Sequence, residues 1–281
     1  ESDLVPTATW PIDTEMKSRL RAKESAALAS SIYFVCRKLQ RKEVGWLNEI
    51  KNDIKNHITK KLDNLWEEGV SGADYFISAI GSSIEIFAKY KKIMDYEGNQ
   101  VDAKQLLEYV RELVTDYIIK KVLNEQLKTE LTSLTKFYIL YRWAYKEGKL
   151  EFDEARKLAQ SVGLDLEKEW NKGFIKKEKE FIILLGPQDR KLQEIEDPKE
   201  MIDVLHKVLI LWKEGKTEEM KEILKETEWG LREEFYIVAQ AISETLPIDS
   251  KEKKLLDGFL STKEKLKSEV RDYLHQKKLF N

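Results

Sequence analysis

Cysteine occurs once in the 281 residues, at Cys36, so no intrachain disulfide and no cysteine-built zinc site can form; a reducing cytoplasm is the expected setting. Proline is almost as scarce: five residues, at 6, 11, 187, 198 and 247, with no two adjacent. The twelve glycines fall into no GxGxxG, GxxxxGK[ST] or GxSxG pattern, which leaves out dinucleotide turns, P-loops and nucleophile elbows. Of the three histidines, His57, His206 and His275, none belongs to an HExxH pair, and all three are expected to be structural. No apolar run approaches eighteen residues and the first residues are polar, so neither a membrane-spanning helix nor a signal-peptide core is expected. The expectation is a soluble chain with no membrane partner. It opens on Glu1 rather than Met, as a processed product or a piece of a longer protein would. A formal net charge of −2 excludes a protein that coats nucleic acid by bulk electrostatics, so any such contact must be local.

What is present is hydrophobic residue enough for a core, 42%, and 36% charged residues dominated by Lys and Glu, a mixture that favours long helices laced by i,i+4 ion pairs. The same enrichment is the compositional mark of heat-tolerant sources. The fold class expected is mainly α, in helical bundle segments, with an N-terminal β-hairpin remnant and a winged-helix-like α/β unit in the middle. Val5 to Ile12 alternates small or polar with apolar residues, and Ser30 to Arg37 is β-branched and aromatic; together they predict two antiparallel strands. Val44, Leu47, Ile50, Ile54, Ile58, Leu62 and Leu65 form one stripe of a helix over 44–66. A second helix is predicted from Gly72 through Tyr90, with Ile77, Ile80, Ile84 and Phe87 inward and a thin adjoining surface of Ser78, Gly81, Ser82 and Ser83 that suits tight helix packing. Asp102 is placed to cap a third, over 103–124.

From 130 the grammar changes. An aromatic-rich helix over 131–146, a short helix over 152–161, a presumed recognition helix over 164–172 and two strands within 174–185 follow the order of a winged helix-turn-helix. Lys172, Lys176, Lys177 and Lys179 cluster about its hairpin and Arg190 follows, so these five are the candidate phosphate contacts. Asp165, Glu167 and Glu169 on the recognition helix oppose that reading and favour protein docking by the same fold. Further helices are predicted from Pro198 to the end. The domain organisation expected is a terminal hairpin at 1–40, a helical bundle at 41–128, the winged unit at 129–190 and a C-terminal helical region at 191–281.

Taken in order, WPIDTE (10–15), ALASSIYFVCRK (27–38), GADYFISAIGSSIEIFAKY (72–90), KFYILYRWAYKEG (136–148), FDEARKLAQSVGLDL (152–166), LLGPQDR (184–190), MIDVLHKVLILWKEGK (201–216) and VAQAISETLP (238–247) followed by SKEKKLLDGFL (250–260) resemble the C-terminal part of the large adenine-specific DNA methylases of archaea and bacteria. These enzymes accompany ATPase or helicase partners in phage-defence and restriction-modification clusters. The resemblance implies that 10–12 and 30–37 are the terminal hairpin of a methylase sheet whose other strands lie in an N-terminal domain or subunit, and that Thr14 and Glu15 lie near the target base. It implies S-adenosylmethionine as cofactor of the complete enzyme and DNA as its partner. This chain lacks the family's asparagine-proline-proline-aromatic tetrapeptide and its glycine-rich turn, so no catalytic, cofactor or metal residue is expected in it. The expected function is a non-catalytic portion or split subunit of an N6-adenine methyltransferase. The alternative is a helical adaptor in a defence complex, without DNA contact.

Overall fold

The computed structural model describes residues 4–12, 31–38, 40–70, 72–127 and 129–279. The chain is mainly α-helical with a few small strands, and it divides into two compact units, 1–118 and 119–281. Among the described residues no helix is long and apolar enough to cross a membrane.

In the first unit, β1 (Leu4–Ile12) pairs antiparallel with β2 (Ser31–Lys38), from Leu4 opposite Lys38 to Ile12 opposite Ser31, with one irregularity between Pro6 and Ala8. These two strands form a sheet of their own. The connection at 13–30, with Thr14 and Glu15, lies outside the described residues. Helix α1 (Leu47–Glu67) buries Ile50, Ile54, Ile58, Leu62 and Leu65, a stripe at steps of four with a last step of three. It ends in a Schellman turn: Gly69 takes φ 74°, its N–H donates to the Trp66 carbonyl, and the Val70 N–H donates to the Leu65 carbonyl. Helix α2 (Gly72–Phe87) packs on α1 and β1. Its deepest face is the thin one, with Ser78, Ala79, Gly81, Ser82 and Ser83 buried, while Ile77, Ile80 and Ile84 are only half-buried. Short side chains let the helix axes approach, and the larger isoleucines flank that seam. The Tyr75 hydroxyl, buried in the seam, donates to the Leu62 carbonyl at 2.9 Å.

The ends of both helices correct the sequence reading. Val44 does not extend the α1 stripe: Lys42–Trp46 is β3, which pairs in parallel with β4 (Tyr90–Met94), so Tyr90 is strand as well. Gly45 permits this pairing, because a β-carbon there would lie 2.6 Å from both Ile50 Cδ1 and the Tyr90 ring. The turn after β4 is tied by Asp95, whose carboxylate accepts from the backbone N–H groups of Glu97 and Asn99. Helix α3 (Ala103–Val122) begins in a reciprocal cap: the Asp102 carboxylate accepts from the Gln105 N–H at 2.8 Å, and the Gln105 side chain accepts from the Asp102 N–H at 3.2 Å.

In the second unit, α4 (Ser133–Tyr145), β5 (Leu150–Glu151), α5 (Phe152–Gln160), α6 (Leu166–Glu169), β6 (Ile175–Glu178) and β7 (Phe181–Leu184) follow in order, and the three strands pair antiparallel in the order β5-β7-β6. That is the winged arrangement, with one departure. The presumed recognition helix is a single turn, because Asn171 and Gly173 both adopt positive φ and the Asn171 side-chain carbonyl accepts from the Lys177 N–H. A turn through Pro187 leads to α7 (Met201–Lys213), buried almost all round, against which α8 (Thr217–Glu226), α9 (Glu233–Thr245) and α10 (Lys251–Leu260) pack; α11 (Lys263–Leu279) lies on α8. A helix apolar on every face belongs at the centre of its layer.

Candidate nucleic-acid interface and the buried charge network

Lys176 and Lys177 lie on opposite faces of β6, Lys179 in the turn to β7 and Lys172 ahead of β6, and their charges are unequally available. Lys176 pairs with Glu178 at 2.6 Å, and Glu178 also takes Lys149 at 3.3 Å. The hydrogen bonds from these two lysines hold the Glu178 carboxyl below its ordinary range. The Lys177 ammonium sits 3.7 Å from the centre of the Trp170 ring and 4.9 Å from that of Phe152, two rings that touch each other, so its cation–π contacts fix it to the root of the wing. Lys172 and Lys179 are exposed, and Lys179 occupies the hairpin turn with φ 54°. The acidic turn of α6 stands beside them, with Asp165 holding Lys168 at 2.9 Å.

Arg190 does not join this surface, which corrects the sequence reading. Its side chain is 1% exposed, and a single terminal nitrogen donates to Asp203 at 2.7 Å and meets His206 Nδ1 at 3.0 Å. A cation so placed has no face left for phosphate.

Arg190 is instead the first member of a directed chain of hydrogen bonds. Arginine only donates, so His206 Nδ1 accepts and its proton lies on Nε2, which donates to the Tyr138 hydroxyl at 3.0 Å. Tyr138 in turn donates to Glu252 Oε1 at 2.6 Å. Arg142, one helical turn beyond Tyr138, closes the chain: it donates to the Tyr138 oxygen and to the carbonyls of Lys146 and Leu184, and stands 2.8 Å from Glu252 Oε2. Tyr138, Arg142, His206 and Glu252 are all essentially inaccessible to solvent. Burial and the cations Arg190 and Arg142 hold His206 well below its ordinary pKa, so it is neutral. Burial opposes the Arg142 charge, and Tyr138 and Glu252 outweigh it. Burial pushes the Glu252 carboxyl up, while Arg142 and Tyr138 pull it back. Gly186 leaves the space this needs, since a β-carbon there would meet Glu252 Oε2 at 2.8 Å.

Four elements of the second unit, α4, β7, α7 and α10, thereby share one electrostatic knot. Beside it opens a cleft of about 480 Å³, reached by Arg142 and lined further by Lys213, Lys251, Glu147, Asp189 and Asp249. Sequence reasoning missed the knot. The available signals were an arginine in the aromatic run FYILYRWAY and a histidine in the apolar run VLHKVLILW. His206 is buried within the knot; His57 is half-exposed, 3.9 Å from Glu85; the side chain of His275 lies outside the described residues.

Among the described residues no group of histidine, cysteine or carboxylate side chains is arranged to hold a metal ion. The sequence contains no GxGxxG turn and no two adjacent prolines. No family model, no curated protein and no solved structure matches the chain.

Proposed function

We propose that this chain is the non-catalytic portion, or a split subunit, of an adenine-specific DNA methyltransferase, and that it adds its terminal strand pair to a sheet supplied by an N-terminal domain or partner subunit. The observation that carries the reading is β1–β2. Two strands alone are marginal in water, yet these run nine and eight residues, pair among the described residues with each other alone, and leave Leu4 and Val35 about half-exposed, at 49% and 45%. A strand pair of this length suits continuation by further strands. The methyl donor and the adenine pocket then belong to the other part, and an ATPase or helicase partner fits the setting that the sequence resemblance implies.

The second reading, an adaptor that never touches DNA, is favoured by the winged unit itself: a one-turn recognition helix carrying acids, Lys176 and Lys177 already engaged, and Arg190 buried. Two measurements separate the readings. In a salt-dependent electrophoretic shift, a chain that positions DNA binds at low salt, and a folded chain with no shift there supports the adaptor. Calorimetric titration of the chain alone with S-adenosylmethionine gives no heat of binding on either reading; a bound donor refutes both.

A further inference from the structure

A second concentration of positive charge lies in the first unit. Residues 37–42 carry four cations and residues 89–92 three, with no acidic residue in either stretch, in a chain whose formal net charge is −2. The parallel pair β3–β4 gathers these two stretches: the Lys42 N–H donates to the Lys89 carbonyl at 2.8 Å, and Lys92 is the register partner of Val44. Adjacent strands lie about 4.8 Å apart and successive side chains alternate between the faces, so Lys42 and Lys92 share a face with Val44 and Trp46, Lys91 and Glu43 take the other, and Lys89 and Lys38 stand just ahead of β4 and β3. Glu43, next in sequence, is the acid nearest to hand, and it is taken by Lys91 at 2.5 Å. Asp95, in the following turn, already accepts three hydrogen bonds, from two backbone N–H groups and the Asn99 amide. Arg37, Lys38, Lys89 and Lys92 are all exposed.

A merely solvated charged face would be polar throughout. Here Val44 and Trp46, on the strand face opposite buried Gly45, are 46% and 51% exposed among the lysines. Cations that track a phosphate backbone together with an exposed aromatic ring are the chemistry of nucleic-acid contact. We infer that the β3–β4 surface, with Lys38, Lys89 and Lys92 as its phosphate contacts and Trp46 beside them, is the DNA-binding face of this chain, in place of the wing. The choice of DNA over another polyanion rests on the proposed methyltransferase reading.

The test is fluorescence anisotropy of the full chain with a labelled duplex of about 20 base pairs across a salt series, comparing the wild type, K38A/K89A/K92A and K176A/K177A/K179A. Loss of three phosphate contacts lowers affinity at least about tenfold at low salt and flattens the log–log salt slope by about 2 to 3. The wing variant keeps the wild-type affinity and slope. K38R/K89R/K92R, which conserves charge, keeps binding and separates charge loss from misfolding. Wild-type binding by K38A/K89A/K92A, or loss confined to the wing variant, overturns the inference and leaves the methyltransferase reading standing. Absence of binding by the wild type overturns the inference and favours the adaptor.

Discussion

Replacing Glu252 by Gln isolates the charge at the centre of the second unit. Gln has nearly the shape of Glu and its carbonyl still accepts from Tyr138, so packing and one hydrogen bond survive. What goes is the negative charge 2.8 Å from Arg142, which is 1% exposed. Arg142 keeps the carbonyls of Lys146 and Leu184, but these are dipoles rather than a counter-ion. Breaking a buried pair by removing one partner costs about 3–5 kcal/mol, because the remaining charge is stranded. That is a large share of the ~5–15 kcal/mol by which a domain is stable. Hydrogen exchange read by mass spectrometry is the suitable assay, since it reports opening of the second unit separately from the first. In Glu252→Gln, amides of 133–145 and 251–260 exchange faster by a factor of at least about 100, and those of 47–67 are unchanged. The control is Glu147→Gln, at an exposed carboxylate that accepts from Ser250 and acts on Arg142 from the solvent side, which shifts exchange by less than about threefold. Wild-type protection in Glu252→Gln would refute the reasoning and assign the compensation of Arg142 to the carbonyl dipoles.

The pH response follows from His206. Its folded pKa lies well below the unfolded value of about 6.5, so its contribution to stability is present above pH 6.5 and is lost as pH falls below it, at up to about 1.4 kcal/mol per pH unit. Glu252 contributes with the opposite sign, its raised carboxyl favouring the fold at low pH. The difference between His206→Phe and wild type therefore isolates the histidine: urea midpoints measured from pH 7 to 5 fall more steeply in wild type, and parallel curves would show that His206 does not titrate on unfolding. Gly258, inside α10, offers a sign test. Alanine in a helix interior ordinarily gains about 1 kcal/mol over glycine, but a β-carbon here would lie 2.2 Å from the Trp212 ring. Overpacking of about 1–3 kcal/mol wins, so Gly258→Ala lowers the thermal midpoint and Gly258→Ala/Trp212→Leu recovers part of it; a raised midpoint in the single variant contradicts the packing.

Long amphipathic helices were legible because their information is local. The α1 stripe, the Asp102 cap and the two strands of the wing are all specified within a few residues, and each stands where the pattern puts it. The parallel pair β3–β4 was not legible. Its strands are 48 positions apart, Lys42 to Tyr90, and each abuts a helix, so the helical period runs on into both and absorbs them. In α2 the pattern identified the thin face but gave the inward role to the isoleucines, because hydrophobicity ranks Ile above Ser while close approach of two helices ranks them the other way.

Charge posed the harder problem, since a cation in a sequence carries no label for its partner. Arg190 and Lys172 look alike on paper, 18 residues apart near one hairpin, yet Arg190 is consumed by Asp203 and His206, which arrive from α7. The distinction is energetic. A buried guanidinium must find acceptors for its N–H groups or lose several kcal/mol, so a cation that the fold has drawn inward is already spoken for. A cation left on a strand without a carboxylate within reach keeps its charge for a partner. By that criterion the wing is the weaker candidate, with Lys176 and Lys177 both engaged, and Lys38, Lys89 and Lys92 form the stronger one. Hence net charge was the wrong quantity to read for binding: −2 over the whole chain is compatible with a concentrated positive surface, provided that the compensating acids are held on other helices and their lysines with them.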